Sequence, residues 1–415
     1  MGGHRGIATV LITAMAMFAS PAWSAASPLP PPTQEDLAHF AAFLRDFRAE
    51  ALAAGIRPET YDRAIAGIRL NPRVQELNLQ QPEFVRPIWE YLAGALSEDR
   101  VRTGREAKEA NAALLARLEA TYGVPGEILT AIWGLETAYG RTEGSYNIFE
   151  ALATLAYQGP RAAYGRRQFL AALKIADTEN RDPKSMLSSW AGAFGETQFV
   201  PTTFLEHAVD EDGDGKKDLW ESPADALAST ANYLKESGWQ AGARWGEQVR
   251  VPDNFPYAEA DPESRKPLSE WQAMGVRDAR GGDLPDSGEP VAIFLPAGYR
   301  GPAFLLRNNF NVILKYNFAT SYALAIGLLS DRLKGAEPLN AAWPTDVAPL
   351  DESSRVALQD GLTALGFDTG GSDGVFGRRT RNALREYQKS RGLPADGFPT
   401  PQLLTRILNE RYLPR

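Results

Sequence analysis

The sequence predicts a mainly α-helical protein whose large helical region carries a small β-containing insertion and precedes a small three-helix C-terminal domain. Apolar residues recur at helical spacing from Gln34 to Ala176. Between Gly246 and Leu314 the composition turns to proline, glycine and aspartate, with short strand-like pieces, VAIFLP and AFLLR. Beyond the proline-punctuated GAEPLNAAWPTDVAPL, which reads as a linker, lies a unit of about 60 residues, near the lower size limit for independent folding.

At the N-terminus His4 and Arg5 precede an apolar run from Ile7 to Phe18 and then small residues through Ala26, the layout of a secretory signal over residues 1–25. That run is too short for a comfortable membrane span, and no later segment reaches roughly 18 uninterrupted apolar residues. The expected product is exported and soluble, with no transmembrane segment. The chain has no cysteine, so neither a disulfide nor a lipid-modified N-terminal cysteine is expected. In a bacterium with an outer membrane this means the periplasm. After the stiff SPLPPP lead-in, Gln34 to Ile68 is helical, with Phe40, Phe43, Leu44 and Phe47 on one stripe. Pro72, Pro82 and Pro87 break up a loop-rich segment that holds Trp89 and Tyr91. Helices follow over Val101–Leu118, Tyr122–Gly140, Ile148–Tyr157 and Tyr164–Ala176, and a single helix over Asn311–Leu333 closes the large region. The main domain is placed at 33–335, the linker at 336–350 and the C-terminal unit at 351–413, where Val356–Leu365, Thr380–Tyr387 and Leu403–Ile407 mark its three helices.

The 415-residue chain is 44% hydrophobic and 23% charged, so disorder is not expected. A net charge of −8 argues against nucleic acid as a partner, because phosphate neutralisation needs a basic face. The chemistry concentrates in YGVPGEILTAIWGLETAYG (122–140). Ile128, Leu129, Ile132, Trp133 and Leu135 make this helix apolar almost all round, and Glu136 is the one carboxylate inside that body. At helical spacing its neighbours are Ile132, Trp133, Tyr139 and Gly140, with no cation among them. Desolvation should raise the pKa of such a carboxyl, as a general acid requires; the bland alternative is an edge glutamate that reaches solvent.

Three further segments carry candidates. SWAGAFGETQFVPTTF (189–204) offers small residues for close backbone approach and Gln198 as donor and acceptor; its plain reading is a tight turn into a helix capped by Thr202 or Thr203. DEDGDGKKDLWE (210–221) fits the calcium-loop pattern: Asp210, Asp212 and Asp214 at the first, third and fifth positions, Gly215 at the sharp turn, the Lys216 carbonyl at the seventh, Asp218 at the ninth and Glu221 at the twelfth. An acidic solvated turn would need no such register. A structural Ca2+ is expected there, holding a loop beside Gln198 and performing no chemistry. YNFATSY (316–322) pairs tyrosines with an amide, which suits a carbohydrate groove, although tyrosines on a helix more often mark a core edge. Histidine triads and zinc sites have little to use, since the histidines are His4, His39 and His207. No phosphate loop is present.

Together these segments resemble the lytic murein transglycosylase B family. Its G-x-E-T-x-x-G motif is matched by Gly134, Glu136, Thr137 and Gly140, and its G-x-x-Q-F-x-P segment by Gly195, Gln198, Phe199 and Pro201. The resemblance spans roughly Gln34 to Leu333 and implies a lysozyme-like catalytic core with an extra helical region. It implies Glu136 as sole acid/base and Tyr91, Arg161, Ser189, Gln198, Tyr233, Tyr316, Asn317 and Tyr322 as substrate-binding residues. The C-terminal unit resembles a peptidoglycan-binding module through LQDGLTALGF, DGVFGRRTRNALREYQ and GLPADG. Ala162 stands where a second basic residue would follow Arg161, and Asp225 competes with Glu221 to close the calcium loop. The implied partner is the glycan strand of peptidoglycan, with other cell-wall enzymes as further candidates. The resemblance further implies chemistry without a cofactor, in which Glu136 protonates the glycosidic oxygen between N-acetylmuramic acid and N-acetylglucosamine and then, as carboxylate, takes the proton of the muramic acid 6-hydroxyl, giving a 1,6-anhydro sugar. A water-using muramidase, which ordinarily needs two carboxylates, and a non-catalytic calcium-stabilised wall-binding scaffold are the alternatives.

Overall fold

A computed structural model describes residues 30–79, 86–142, 144–286, 288–339 and 342–411. The expected signal lies outside them. The helices are α1 (Gln34–Ala53), α2 (Pro58–Ile65), α3 (Pro72–Leu79), α4 (Ile88–Ala95), α5 (Glu98–Ala110), α6 (Ala112–Tyr122), α7 (Gly126–Thr137), α8 (Ile148–Tyr157), α9 (Ala162–Thr178), α10 (Pro201–His207), α11 (Pro223–Glu236), α12 (Leu268–Ala273), α13 (Asn308–Tyr316), α14 (Thr320–Leu333), α15 (Glu352–Ala364), α16 (Arg378–Ser390) and α17 (Pro401–Arg411). The strands are β1 (Tyr146–Asn147), β2 (Leu187–Ser188), β3 (Gly246–Arg250), β4 (Arg277–Asp278), β5 (Ala292–Phe294) and β6 (Ala303–Leu306).

The described residues fall into two compact units. The first takes 30–79, 98–241 and 316–319; the second takes 86–97, 242–315 and 320–411. In the first, α8 and α9 pack against each other at the centre of a core that includes Phe40, Phe47, Tyr61, Phe149, Phe169, Phe194 and Leu219. Each such side chain contributes about 1.5–3 kcal/mol on leaving water. β1 and β2 pair antiparallel, Tyr146 opposite Ser188. In the second unit the insertion forms an antiparallel sheet in the order β4-β3-β6-β5, with Gly246 opposite Leu306 and Ala292 opposite Leu306, over a core centred on Trp271. α15, α16 and α17 enclose Leu358, Leu362, Leu384, Tyr387 and Ile407; Leu350, from the end of the proline-rich stretch, joins that core.

Four expectations about elements are corrected. Pro72 opens α3 and Pro87 immediately precedes α4 as its N-cap, instead of breaking a loop, since a missing N–H costs nothing at a helix start. The Val101–Leu118 helix is two, α5 and α6, joined at Asn111. Tyr122 belongs to α6, which stops at Gly123 (φ 74°), so the glutamate-bearing helix begins only after Pro125. The Asn311–Leu333 helix is bent by 116° between α13 and α14. There the Asn317 side-chain oxygen accepts the Ala319 N–H, a local turn that competes with the helical ladder. No single described helix is long and apolar enough to cross a membrane.

Candidate active site

α7 is buried at every residue except Glu127, which pairs with Lys108 at 3.2 Å. Glu136, 8% exposed, lies one residue from its C-terminal end. The expected neighbourhood of Glu136 is corrected here. Ala138 (φ 52°) and Tyr139 (φ 64°) are left-handed and Gly140 (φ 77°) follows, so Tyr139 and Gly140 leave the helix face. The chain turns back on itself. The Tyr139 ring lies over Gly134, where a Cβ would come within 2.5 Å of it, and meets Trp133 edge-on at 6.0 Å. Its hydroxyl donates to the Arg100 carbonyl at 2.8 Å, while the Arg100 guanidinium donates to the Gly134 carbonyl. The glycine at 134 is therefore a steric requirement of the turn behind the glutamate. Burial pushes the Tyr139 phenol up to about 12.

The Gln198 segment is a turn clamped to the same helix end. Phe194 N–H donates to Phe199 O at 2.8 Å, and Gln198 (φ 55°) donates from both its backbone and its side-chain amide to Gly195 O, each at 3.1 Å. Thr137 Oγ1 donates to Glu196 O at 2.6 Å. α10 begins at Pro201 without a side-chain cap; Thr202, expected as a cap, instead bonds Gln168 through its hydroxyl and N–H.

Around this turn stand the other candidates of the first unit. Phe199, Tyr233 and Tyr316 form an aromatic cluster with centroids 5.4–6.2 Å apart. The Tyr316 hydroxyl donates to Thr197 O; burial, with the Glu136 charge next in importance, holds that phenol well above the ordinary range. Asn317 is buried beside it. Ser189 accepts the Ala193 N–H at 3.1 Å in a tight loop. Arg161 donates to Asn78 O at 2.7 Å and lies over the Trp190 ring, its pKa lowered by burial. Tyr91 is on α4 and Tyr322 on α14, both in the second unit.

In the acidic loop, one carboxylate oxygen from each of Asp210, Asp212 and Asp214 lies within 4.8 Å of the others. Gly213 and Gly215 are left-handed and Lys216 is exposed. Glu221 is exposed and paired with Arg181 at 3.1 Å. Asp225 is fully buried and accepts the N–H groups of Glu211 (2.8 Å), Asp212 (3.4 Å) and Asp218 (2.8 Å). Burial raises its pKa despite those bonds. The loop reaches the Gln198 turn directly: Glu196 N–H donates to Leu219 O at 2.8 Å, and Trp220 stacks on Phe194 at 4.0 Å.

One residue escaped the sequence reading. Glu196 places its carboxylate on the Trp133 indole N–H at 2.6 Å and against Gly140. Its partners lie some sixty positions upstream, so no local pattern marks it.

Comparison with known proteins bears on the family and the fold. Residues 39–331 match a family model described as the Transglycosylase SLT domain, and 351–407 one described as a putative peptidoglycan binding domain. The membrane-bound lytic murein transglycosylase B of Escherichia coli K12 is 34% identical over 218 residues, 51% of this chain; the match spans 58% of that protein's length. SltB3 of Pseudomonas aeruginosa, in complex with NAG-anhNAM-pentapeptide, is 50% identical with a TM-score of 0.86, covering 89% of this chain and 99% of that one. Slt35 of Escherichia coli, in complex with calcium, is 27% identical with a TM-score of 0.62, covering 72% and 93%. The helical region thus has the lysozyme-like fold, and the chain belongs to the lytic transglycosylase family defined by the SLT domain, with a C-terminal peptidoglycan-binding domain.

Proposed function

We propose that this protein is a periplasmic lytic transglycosylase that cleaves the MurNAc-GlcNAc β-1,4 bond without water and leaves a 1,6-anhydro-MurNAc end. The observation that carries the reading is a buried glutamate at the end of an apolar helix, set against the Gln198 turn and the tyrosines Tyr233 and Tyr316 packed around it. SltB3, so similar over nearly its whole length, is seen with an anhydro-sugar pentapeptide, which supports the same product class.

In the neutral form Glu136 donates its proton to the glycosidic oxygen as the C1–O bond breaks. The substrate's acetamido group stabilises the developing positive charge. The resulting carboxylate accepts the proton of the muramic acid 6-hydroxyl as that oxygen bonds to C1. One proton leaves the residue and one returns, so no co-reactant is consumed. Gln198, Tyr233, Tyr316, Asn317, Ser189 and Arg161, all in the first unit, are assigned to binding the glycan and its peptide.

The acidic loop fits a calcium ion. Its donor set is hard oxygen, and its three aspartates converge. Asp210, Asp212, Asp214 and the Lys216 carbonyl would hold the ion. Asp225 is the better closing ligand, because Glu221 is engaged by Arg181 while Asp225 is already fixed against the loop's own amides. The bound ion would supply only charge neutralisation and loop order; Slt35 in complex with calcium supports the assignment.

The test is mass spectrometry of products from purified sacculi. Wild type should release anhydro-muropeptides, and Glu136→Gln should release none while still cosedimenting with sacculi. Products ending in reducing muramic acid would replace this reading with hydrolysis. Absence of turnover by wild type would leave only a wall-binding role.

A further inference from the structure

We propose that Glu196 is a positioning residue for Glu136, locking the turn that follows the catalytic glutamate. This rests on the reading of Glu136 just given. Ala138, Tyr139 and Gly140 take left-handed backbone angles in succession immediately after the helix, and the first two carry side chains that disfavour that region. Such a run persists only where its surroundings over-determine it. Arg100 and Tyr139 fix one side of the turn. Glu196 fixes the other, at three points.

Its backbone carbonyl accepts Thr137 Oγ1, the residue after Glu136, at 2.6 Å. Its carboxylate accepts the indole N–H of Trp133, one turn before Glu136, at 2.6 Å. The same carboxylate rests so closely on Gly140 that a Cβ there would collide with it. Glu196 is itself anchored through its N–H to Leu219 O. A grip both before and after Glu136 sets the direction in which that carboxyl meets the glycosidic oxygen. Losing the grip should impair the chemical step more than binding, since small misplacements of a reacting group are costly in rate.

The experiment measures kcat and KM on a soluble glycan substrate for Glu196→Ala, Glu196→Gln, Trp133→Phe and the Glu196→Ala/Trp133→Phe pair, with thermal unfolding of each. Glu196→Ala should lower kcat about tenfold or more with KM changed less than about twofold. Glu196→Gln keeps an oxygen acceptor for the indole and should recover most of that loss. Trp133→Phe removes the N–H and should lower kcat comparably; the double variant should be no worse than the poorer single, because both break one contact. Wild-type kcat in Glu196→Ala, a loss confined to KM, or fully additive losses would overturn the proposal. Should Glu196→Ala fail to fold, the comparison of Trp133→Phe with Glu196→Gln decides alone: equal kcat values refute it. Glu136→Gln runs alongside. Turnover in that variant defeats the assignment of Glu136, whereas an inactive Glu136→Gln with a fully active Glu196→Ala defeats only the role of Glu196.

Discussion

Gly195 shows how tightly single residues are constrained around the Gln198 turn. It is left-handed at φ 73°, and a Cβ added there would collide with the Leu219 carbonyl, which already accepts the Glu196 N–H. Backbone cannot step aside as a flexible side chain can. Gly195→Ala should therefore cost about 2–5 kcal/mol, the sum of a left-handed alanine and an overpacked contact. Urea unfolding checks this: the midpoint should fall while the slope stays constant. A midpoint equal to wild type would mean that the turn shifts freely. At this scale the sequence exposes what a single helix can express. Glu136 is conspicuous because its apolar neighbours are adjacent in the chain. Glu196 is invisible because Trp133, Thr137 and Gly140 reach it only through the fold.

Among the elements, the acidic loop is the most legible, since Asp210, Asp212, Asp214 and both glycines fall within six consecutive positions. The proposed closing ligand is harder to read: Asp225 sits inside α11, and the three loop amides that it accepts are what tie it to this loop. Because Leu219 and Trp220 of this loop brace the turn holding Glu196 and Gln198, loss of an ion should loosen the first unit. Chelation should lower the melting temperature by several degrees, reversed by excess calcium, because a ligand bound only by the folded state stabilises it by about 2.7 kcal/mol at a hundredfold excess over Kd. Asp210→Asn and Asp214→Asn should melt low and ignore chelator. Unchanged melting of wild type would remove calcium from this account. The break between α13 and α14 is the opposite case: apolar spacing runs on through Tyr322, while the Asn317 turn that bends the chain leaves the hydrophobic pattern untouched.

At the scale of the whole chain, the sequence separates the insertion from the C-terminal helices by a proline-rich stretch, yet the second unit packs them together. Arg385 on α16 donates to Asp261 at 2.7 Å and to Ala260 O at 2.7 Å, and both charged residues are buried. Asp396 accepts the Tyr299 N–H nearby. Nothing local in the sequence marks Asp261 or Arg385, because an unpaired charge reads as surface. Burial alone would raise the Asp261 carboxyl, but the Arg385 hydrogen bond, the Glu263 N–H and the Arg385 charge hold it below the usual carboxylate range. A folded pKa below the unfolded value of about 3.9 stabilises the folded state fully above that pH, and the stabilisation is lost as pH falls through the folded pKa. Removing one partner of a buried pair costs about 3–5 kcal/mol, so Asp261→Ala or Arg385→Met should open this contact and speed proteolysis between 336 and 350 by about two to four orders of magnitude at pH 7. For a protease active in acid, wild type should resist at pH 5 and approach the Asp261→Ala rate only below about pH 4, where the carboxyl starts to protonate. Equal cleavage of wild type and Asp261→Ala at pH 7 would show that other contacts hold the C-terminal helices to the sheet, and that this ion pair contributes only to their register.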